Sequence, residues 1–146
     1  FLGSLYYIEE ANIRELLGVP EDIPVIFIPA HRRKFQGIQV EIDGMFIWYF
    51  EDRIYLVIAE VKKDLRKHTN WSGGYSYHQV RNTAIAVAGR FDDDLRQRST
   101  VIPLYVRVEY TGSETWKAMI DRFEPILNRD SRPTICQSLD IDGLPR

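Results

Sequence analysis

The stretch Ile38–Lys62, IQVEIDGMFIWYFEDRIYLVIAEVK, decides how the chain is read. Two apolar runs flank a polar turn at Glu51, Asp52 and Arg53. Ile54 to Val61 is almost wholly apolar and rich in β-branched residues, the composition of a strand buried on both faces. Side chains alternate along a strand, so Leu56, Ile58, Glu60 and Lys62 point one way and Tyr55, Val57, Ala59 and Val61 the other. A glutamate and a lysine therefore emerge side by side from the end of an apolar strand. Burying them is costly unless they are paired or bind an ion. In the first run Gln39, Glu41 and Asp43 share one face, and Ile38, Val40 and Ile42 share the other. Gly44 permits a bend or bulge just after Asp43. Paired as a hairpin, the two runs bring carboxylates on adjacent strands together. Hard cations such as Mg²⁺ take ligands of this kind, one or two carboxylates completed by water and substrate phosphate. A lysine beside such a cation can hold a hydroxide or stabilise charge developing on phosphorus.

The pattern E-I-D-G, an apolar strand, and then A-E-V-K resembles the PD-(D/E)XK nuclease superfamily. It is most similar to the branch that holds Holliday-junction resolvases and small restriction-like nucleases. The resemblance implies that Asp43 and Glu60 bind a divalent metal, Mg²⁺ or Mn²⁺, and that Lys62 assists the attacking water. Seventeen positions separate Asp43 from Glu60, which one hairpin can span. Ile42 stands where the family often has a proline. Asp43 is preferred to Glu41 as the ligand on the resemblance and on its place beside the glycine. The competing reading is plain strand chemistry, with Glu60 and Lys62 an exposed charged edge and Glu41 and Asp43 the solvent face of an amphipathic strand.

The rest of the chain bounds this reading. Its 146 residues, of which 45% are apolar, make one domain with a proper core. The start at Phe1 leaves open that residues 1–146 are a piece of a longer protein. The formal net charge is −2, where nucleic-acid-binding domains are often basic. Catalytic carboxylates lower that count, and a local basic patch suffices for phosphate contact. The single cysteine, Cys136, excludes an internal disulfide and a cysteine metal cluster, which fits a reducing, cytoplasmic setting. No apolar run reaches membrane-spanning length, so no membrane partner is expected.

Leu5 to Leu17 reads as a helix, with Ile8, Ala11, Ile13, Leu16 and Leu17 as its apolar stripe and Gly18 and Pro20 as its stop. Asn12 with Glu15 is a possible capping box. The resemblance implies that a first-helix glutamate, Glu10 or Glu9, joins the metal site; the alternative is a solvated helix face. Pro20 to Pro29 contains Ile23, Val25, Ile26, Phe27 and Ile28, a short strand candidate bounded by prolines. His31, Arg32, Arg33 and Lys34 follow as a basic run, either phosphate contacts or an exposed loop. Lys63, Arg66, Lys67 and His68 keep the chain basic after Lys62, and Lys63 faces the opposite side of the strand from Lys62. Asn70 to Tyr77 reads as a glycine-bearing loop whose aromatics either stack on bases or pack on the fold.

His78 to Gly89 reads as the best helix, its alanines allowing close approach to a sheet. Gln79 resembles the superfamily's glutamine near the site, and Arg81 can reach a phosphate; the alternative for both is ordinary helix surface. Asp92, Asp93 and Asp94 read as a solvated turn or a new N-cap and not as a metal cluster. Thr100 to Tyr110 reads as a strand, with Pro103 indicating an edge or a bulge. Ser113 to about Leu127 reads as a helix with Trp116, Met119, Ile120, Phe123 and Leu127 on one face. Thr134 to Leu139 reads as a last strand.

The expected fold is therefore α/β, a central mixed β-sheet flanked by helices, restriction-endonuclease-like. The expected function is a divalent-metal-dependent nuclease acting on nucleic acid, DNA first, with a homodimer compatible because symmetric cuts need two sites. The alternative is a non-catalytic nucleic-acid-binding or protein-interaction module on the same fold.

Overall fold

A computed structural model describes residues 1–35, 38–64, 73–89, 91–110, 114–126 and 132–145. For residues 31–35, 38–41, 64, 73–78 and 145 it describes the backbone alone. Two helices, α1 (Leu2–Ile8) and α2 (Glu10–Leu17), precede three strands: β1 (Ile26–Phe35), β2 (Ile38–Phe50) and β3 (Arg53–Asp64). Helices α3 (Gly73–Ala88) and α4 (Asp93–Gln97) follow, then β4 (Ser99–Tyr110), β5 (Thr115–Phe123) and β6 (Ile135–Pro145). The strands form one six-stranded sheet in sequence order. Every neighbouring pair is antiparallel except β3 and β4, which run parallel. Antiparallel neighbours need only a short turn, whereas a parallel pair needs a crossover, and α3 supplies it.

The β2–β3 hairpin is set by its turn. Phe50 pairs with Arg53, and the two residues between them, Glu51 and Asp52, take φ of 49° and 61°. Two consecutive positive φ values make the turn whose twist matches the flanking strands. Trp48 and Tyr55 sit opposite each other across the hairpin and stack, their ring centroids 5.2 Å apart.

Strand alternation then assigns the two faces. Val57 and Ala59 of β3 join Phe46 and Trp48 of β2 in a core beneath Leu2, Leu5, Ile13, Leu16 and Leu17 of α1 and α2. Leu56 and Ile58 belong to the opposite face, under Ala84 and Val87 of α3. Val80, Ala84 and Val87 recur at intervals of four and three, so α3 lays one stripe on the sheet. Its alanines let it lie close.

Several elements differ from the sequence expectation. The first helix is two helices, broken at Glu9 with φ −116° and ψ 33°. No Asn12–Glu15 capping box forms; Asn12 Nδ2 instead donates to Glu9 Oε2 at 2.8 Å. Gly18 does end α2, in the left-handed conformation with φ 75°. The first strand begins at Ile26, not Ile23, and runs through the basic residues 31–34, because β2 pairs with them as far as Phe35↔Ile38. That run is strand and not loop. Helix α3 starts at Gly73, five residues before His78, and takes in residues 73–77 of the expected loop. Asp92 is an N-cap, its Oδ1 accepting from Leu95 N at 2.8 Å.

Residues 115–123 are a strand where a helix was expected. Trp116, Met119, Ile120 and Phe123 fit helical spacing, but Trp116, Ala118 and Ile120 also alternate, and these three pack into the α1–α2 side core. Strands β4 and β6 on either side settle the choice. Strand β6 reaches Pro145, well past Leu139.

Strand β4 is central, so Pro103 is not on an edge. Ile126 bridges Val101, and the β5 ladder begins only at Leu104↔Arg122. By alternation Pro103 faces the same neighbour as Val101, so its missing N–H falls in that gap. No helix among the described residues is long and apolar enough to cross a membrane.

Candidate functional site

Strands β2 and β3 part company near their polar ends. Their ladder runs from Phe50↔Arg53 up to Gly44↔Ala59. Beyond that point β2 pairs with β1, from Ile42 down to Ile38, while β3 pairs with β4 as far as Asp64↔Glu109. The two strands form a fork with Asp43 on one tine and Glu60 and Lys62 on the other.

A strand that leaves its neighbour strands an amide that must find another acceptor. Asp43 fills this need: its Oδ2 accepts from Val61 N at 2.8 Å. That amide is the one joining Glu60 to Val61. The contact therefore pins the Asp43 carboxylate to the backbone between Glu60 and Lys62. The β1–β2 register runs through Gly44 without a bulge, from Pro29↔Gly44 to His31↔Ile42. Ile42 and Met45 both join the α3-side core, which strict alternation would forbid for residues three apart. A Cβ at Gly44 would lie 2.7 Å from Leu2 Cδ1 and 3.1 Å from the Phe27 ring, so α1 and β1 close over a position with no room for a side chain.

Glu60 and Lys62 follow Leu56 and Ile58 on the α3 face. Lys62 Nζ lies 3.1 Å from Glu60 Oε1. The Glu60 side chain is 14% exposed and that of Lys62 39%, so the pair lies at the border of the core with the ammonium reaching outward. Asp43, Glu60 and Lys62 are thus brought together.

Asp43 and Glu60 are the two carboxylates at the fork that could serve as oxygen ligands. The Val61 contact uses Asp43 Oδ2 and leaves Oδ1, and the Lys62 contact uses Glu60 Oε1. A cation of this kind needs only one or two carboxylates plus water.

Other expected residues lie elsewhere. Glu10 is exposed in the first turn of α2 and lines a shallow depression with Arg14, Asp22, Ile23 and Pro24. Glu9 is held by Asn12. Among the described residues no three His, Cys, Asp or Glu side chains group closely enough to hold a metal ion, so neither glutamate is brought to Asp43 and Glu60. Broken at Glu9, the first helix directs Leu2 and not a glutamate at the fork.

Gln79 sits one residue before Val80, which packs on Tyr105 and Phe123. Its Oε1 is buried, with no hydrogen-bond partner among the described residues. Arg81 Nη1 donates to Asn82 Oδ1 at 3.2 Å. Lys63 is exposed and directed to the face opposite Lys62. Arg32, Arg33 and Lys34 lie on β1 opposite Glu41, Val40 and Gln39 of β2. Residues 66–68, 70–72, 113 and 127, which carry parts of the basic run, the aromatic loop and the expected last helix, lie outside the described residues.

The register also adds residues that the sequence did not single out. Glu60 pairs with Tyr105, Tyr105 with Asp121, and Asp121 with Ser138, so the four cross the sheet in one row on one face. Lys62 pairs with Arg107 in the next row. Arg107 Nη2 lies 3.9 Å from Asp121 Oδ2, and Ser138 Oγ donates to Asp121 Oδ1 at 2.7 Å. No local motif marks these residues; only the parallel register of β3 and β4 places them beside Glu60 and Lys62. No protein-family model, curated protein or solved structure matches the chain.

Proposed function

We propose that the chain is a divalent-metal-dependent nuclease that hydrolyses phosphodiester bonds, with DNA as the first substrate to test, on a restriction-endonuclease-like fold. The observation that carries this is the Asp43 Oδ2 contact with Val61 N at 2.8 Å, which fixes a second carboxylate between Glu60 and Lys62 at a strand fork. It supports a role that strand-end charge alone does not require. Asp43 and Glu60 would hold Mg²⁺ or Mn²⁺. When bound, such a cation neutralises phosphate charge and lowers the pKa of its water.

The protein's own groups have separate tasks. Lys62 brings an ammonium to the place where negative charge grows as water attacks phosphorus. Its partner Glu60 keeps that ammonium directed along the α3 face. Val61 N–H holds the Asp43 carboxylate in one orientation before substrate arrives. Gln79 brings a buried amide oxygen to the helix side of the sheet, where a donor on substrate or water can satisfy it.

The test is cleavage of a panel of single-stranded, duplex and branched DNA and RNA with Mg²⁺ or Mn²⁺, beside Glu60→Gln. Cleavage by the wild type that Glu60→Gln loses supports the proposal; a wild type inactive on the whole panel refutes it.

A second reading, a non-catalytic nucleic-acid-binding module, draws on the Glu60–Lys62 ion pair, in which each charge already meets an opposite one. Calorimetry with Mn²⁺ separates the two readings. Heat that Glu60→Gln abolishes favours the enzyme, and no heat from either protein favours the module.

A further inference from the structure

The ladder between β2 and β3 ends at Gly44↔Ala59, one residue short of Asp43. Past that pair β2 has β1 beside it, through Ile42↔His31, and Asp43 reaches across to Val61 N. What packs on Gly44 therefore bears on backbone one peptide away from the carboxylate. Leu2 of α1 packs there. A Cβ at Gly44 would lie 2.7 Å from Leu2 Cδ1, and 3.1 and 3.5 Å from Cε2 and Cζ of the Phe27 ring. The other edge of that ring meets a second glycine: a Cβ at Gly3 of α1 would lie 3.0 Å from Phe27 Cε1. Helix α1 and strand β2 thus close on Phe27 from two sides, each through a glycine. Leu2 is 4% exposed, and Phe1 before it packs on Trp116 of β5 with ring centroids 4.2 Å apart. The first turn of α1 is held by both strands.

We propose that Leu2 is a positioning residue of the candidate site: seated on Gly44, it sets the β2 backbone from which Asp43 meets Val61 and a divalent cation. The proposal rests on the nuclease reading of that site and gives α1 a task in it beyond filling the core. Close-packed interiors transmit small displacements instead of absorbing them. Lifting or rotating the peptide between Asp43 and Gly44 moves both carboxylate oxygens, and a site of this kind needs its groups held within about 0.5 Å. Residues that orient a metal ligand from behind typically change metal affinity by about 10–100-fold when altered. Leu5, on the same helix, supplies the contrast. It is 2% exposed and belongs to the same core. The atoms nearest a Cβ at Gly44 nevertheless belong to Leu2 and Phe27 and not to Leu5.

The test reads the Val61 amide by nitrogen-edited NMR without metal, and Mn²⁺ affinity by calorimetry. The variants are Leu2→Ala, Gly44→Ala, the double variant Leu2→Ala/Gly44→Ala and Leu5→Ala, each checked for folding by circular dichroism. A charge-assisted hydrogen bond holds the amide proton, so its shift reports the Asp43 contact directly. Asp43→Ala gives the shift of the amide without that contact. Gly44→Ala should move the amide towards the Asp43→Ala position and weaken Mn²⁺ binding about tenfold, because the new methyl displaces either Leu2 or β2. Leu2→Ala should do the same by removing the seat. The double variant should recover most of both, because the methyl at position 44 takes the space that Leu2 Cδ1 leaves. Two changes that are each harmful and jointly mild are the signature of a direct contact. Leu5→Ala should lower the Tm by a similar amount to Leu2→Ala, since both remove a buried leucine, and leave the amide and the affinity as in the wild type.

If the wild type binds Mn²⁺ while folded Leu2→Ala and Gly44→Ala keep its amide shift and affinity, the proposal is overturned, the nuclease reading stands, and Leu2 only fills the core. Equal losses in Leu5→Ala overturn it in the same way, as does an amide that moves while the affinity does not. If Gly44→Ala fails to fold, Leu2→Ala against Leu5→Ala decides the question. If the wild type takes up no Mn²⁺, the nuclease reading fails and the role of Leu2 falls with it, whatever the amide does.

Discussion

Substitutions at Asp43 separate what the residue does for the fold from what it does for chemistry. Asp43→Ala removes the acceptor of Val61 N–H and leaves a part-buried amide without a partner. A hydrogen bond to a charged group contributes about 1.5–3 kcal/mol. Asp43 is not fully buried, so the lower end applies, about 1.5 kcal/mol. For a domain of this size that is a fall in Tm of roughly 5 °C. Asp43→Asn keeps an amide oxygen that can still accept from Val61 N–H, so its Tm should stay within about 2 °C of the wild type. Asparagine is nevertheless a poor ligand for a hard cation and carries no charge. Both variants should therefore lose cleavage by at least about a hundredfold, the scale of one electrostatic group at a reacting centre. The assay pairs thermal unfolding followed by circular dichroism with initial rates on the best substrate of the panel. An Asp43→Asn protein that cleaves like the wild type refutes the ligand role. An Asp43→Ala protein as stable as the wild type refutes the argument that the carboxylate replaces a ladder hydrogen bond.

Lys62→Ala should lower the cleavage rate on the order of a hundredfold while barely weakening binding, because its charge acts mainly in the transition state; equal loss of duplex binding, read by fluorescence anisotropy in EDTA, would make it a docking contact instead. Gly44→Ala should destabilise the protein by about 1–3 kcal/mol, because its Cβ would sit 2.7 Å from Leu2 and 3.1 Å from Phe27; an unchanged urea midpoint would show that α1 yields freely. Tyr49 donates to Asp52 Oδ1 at 2.8 Å, and that hydrogen bond, with a small desolvation and the Asp52 charge, raises its phenol above the ordinary tyrosine value near 10. A raised value means the contact supports the fold below pH 10 and is lost as the pH climbs through the folded value. Asp52→Asn should bring the Tyr49 titration, followed by NMR, back towards the ordinary value, and no movement would refute the assignment.

The β2–β3 hairpin was legible because its information is local: β-branched alternation and a polar two-residue turn. Asp43, Glu60 and Lys62 were legible for the same reason, since one hairpin carries all three. Strand β5 was not, because Trp116, Met119, Ile120 and Phe123 satisfy a helical period while Trp116, Ala118 and Ile120 satisfy a strand period. Only the neighbours on both sides choose between them. The basic run 31–34 extends β1 for a similar reason: β2 offers it a ladder that the residues themselves do not announce. Arg107, Asp121 and Ser138 were invisible because nothing in their own neighbourhood of sequence points to Lys62. They meet it through a register that exists only once the sheet is complete.

The single parallel pairing gives this sheet a seam. On one side β1, β2 and β3 form a meander within residues 26–64; on the other β4, β5 and β6 form a second within residues 99–145. Contacts inside each meander join residues near in sequence and close short loops, whereas the seam must close over the whole crossover. Glu60 and Lys62 stand on one side of it and Tyr105 and Arg107 on the other. A chain caught with both meanders formed and the seam still open has most of its hydrogen-bonded ladders and only half of its polar row. Asp43, Glu60 and Lys62 meet within the first meander, and closing the seam adds only Tyr105 and Arg107 beside them.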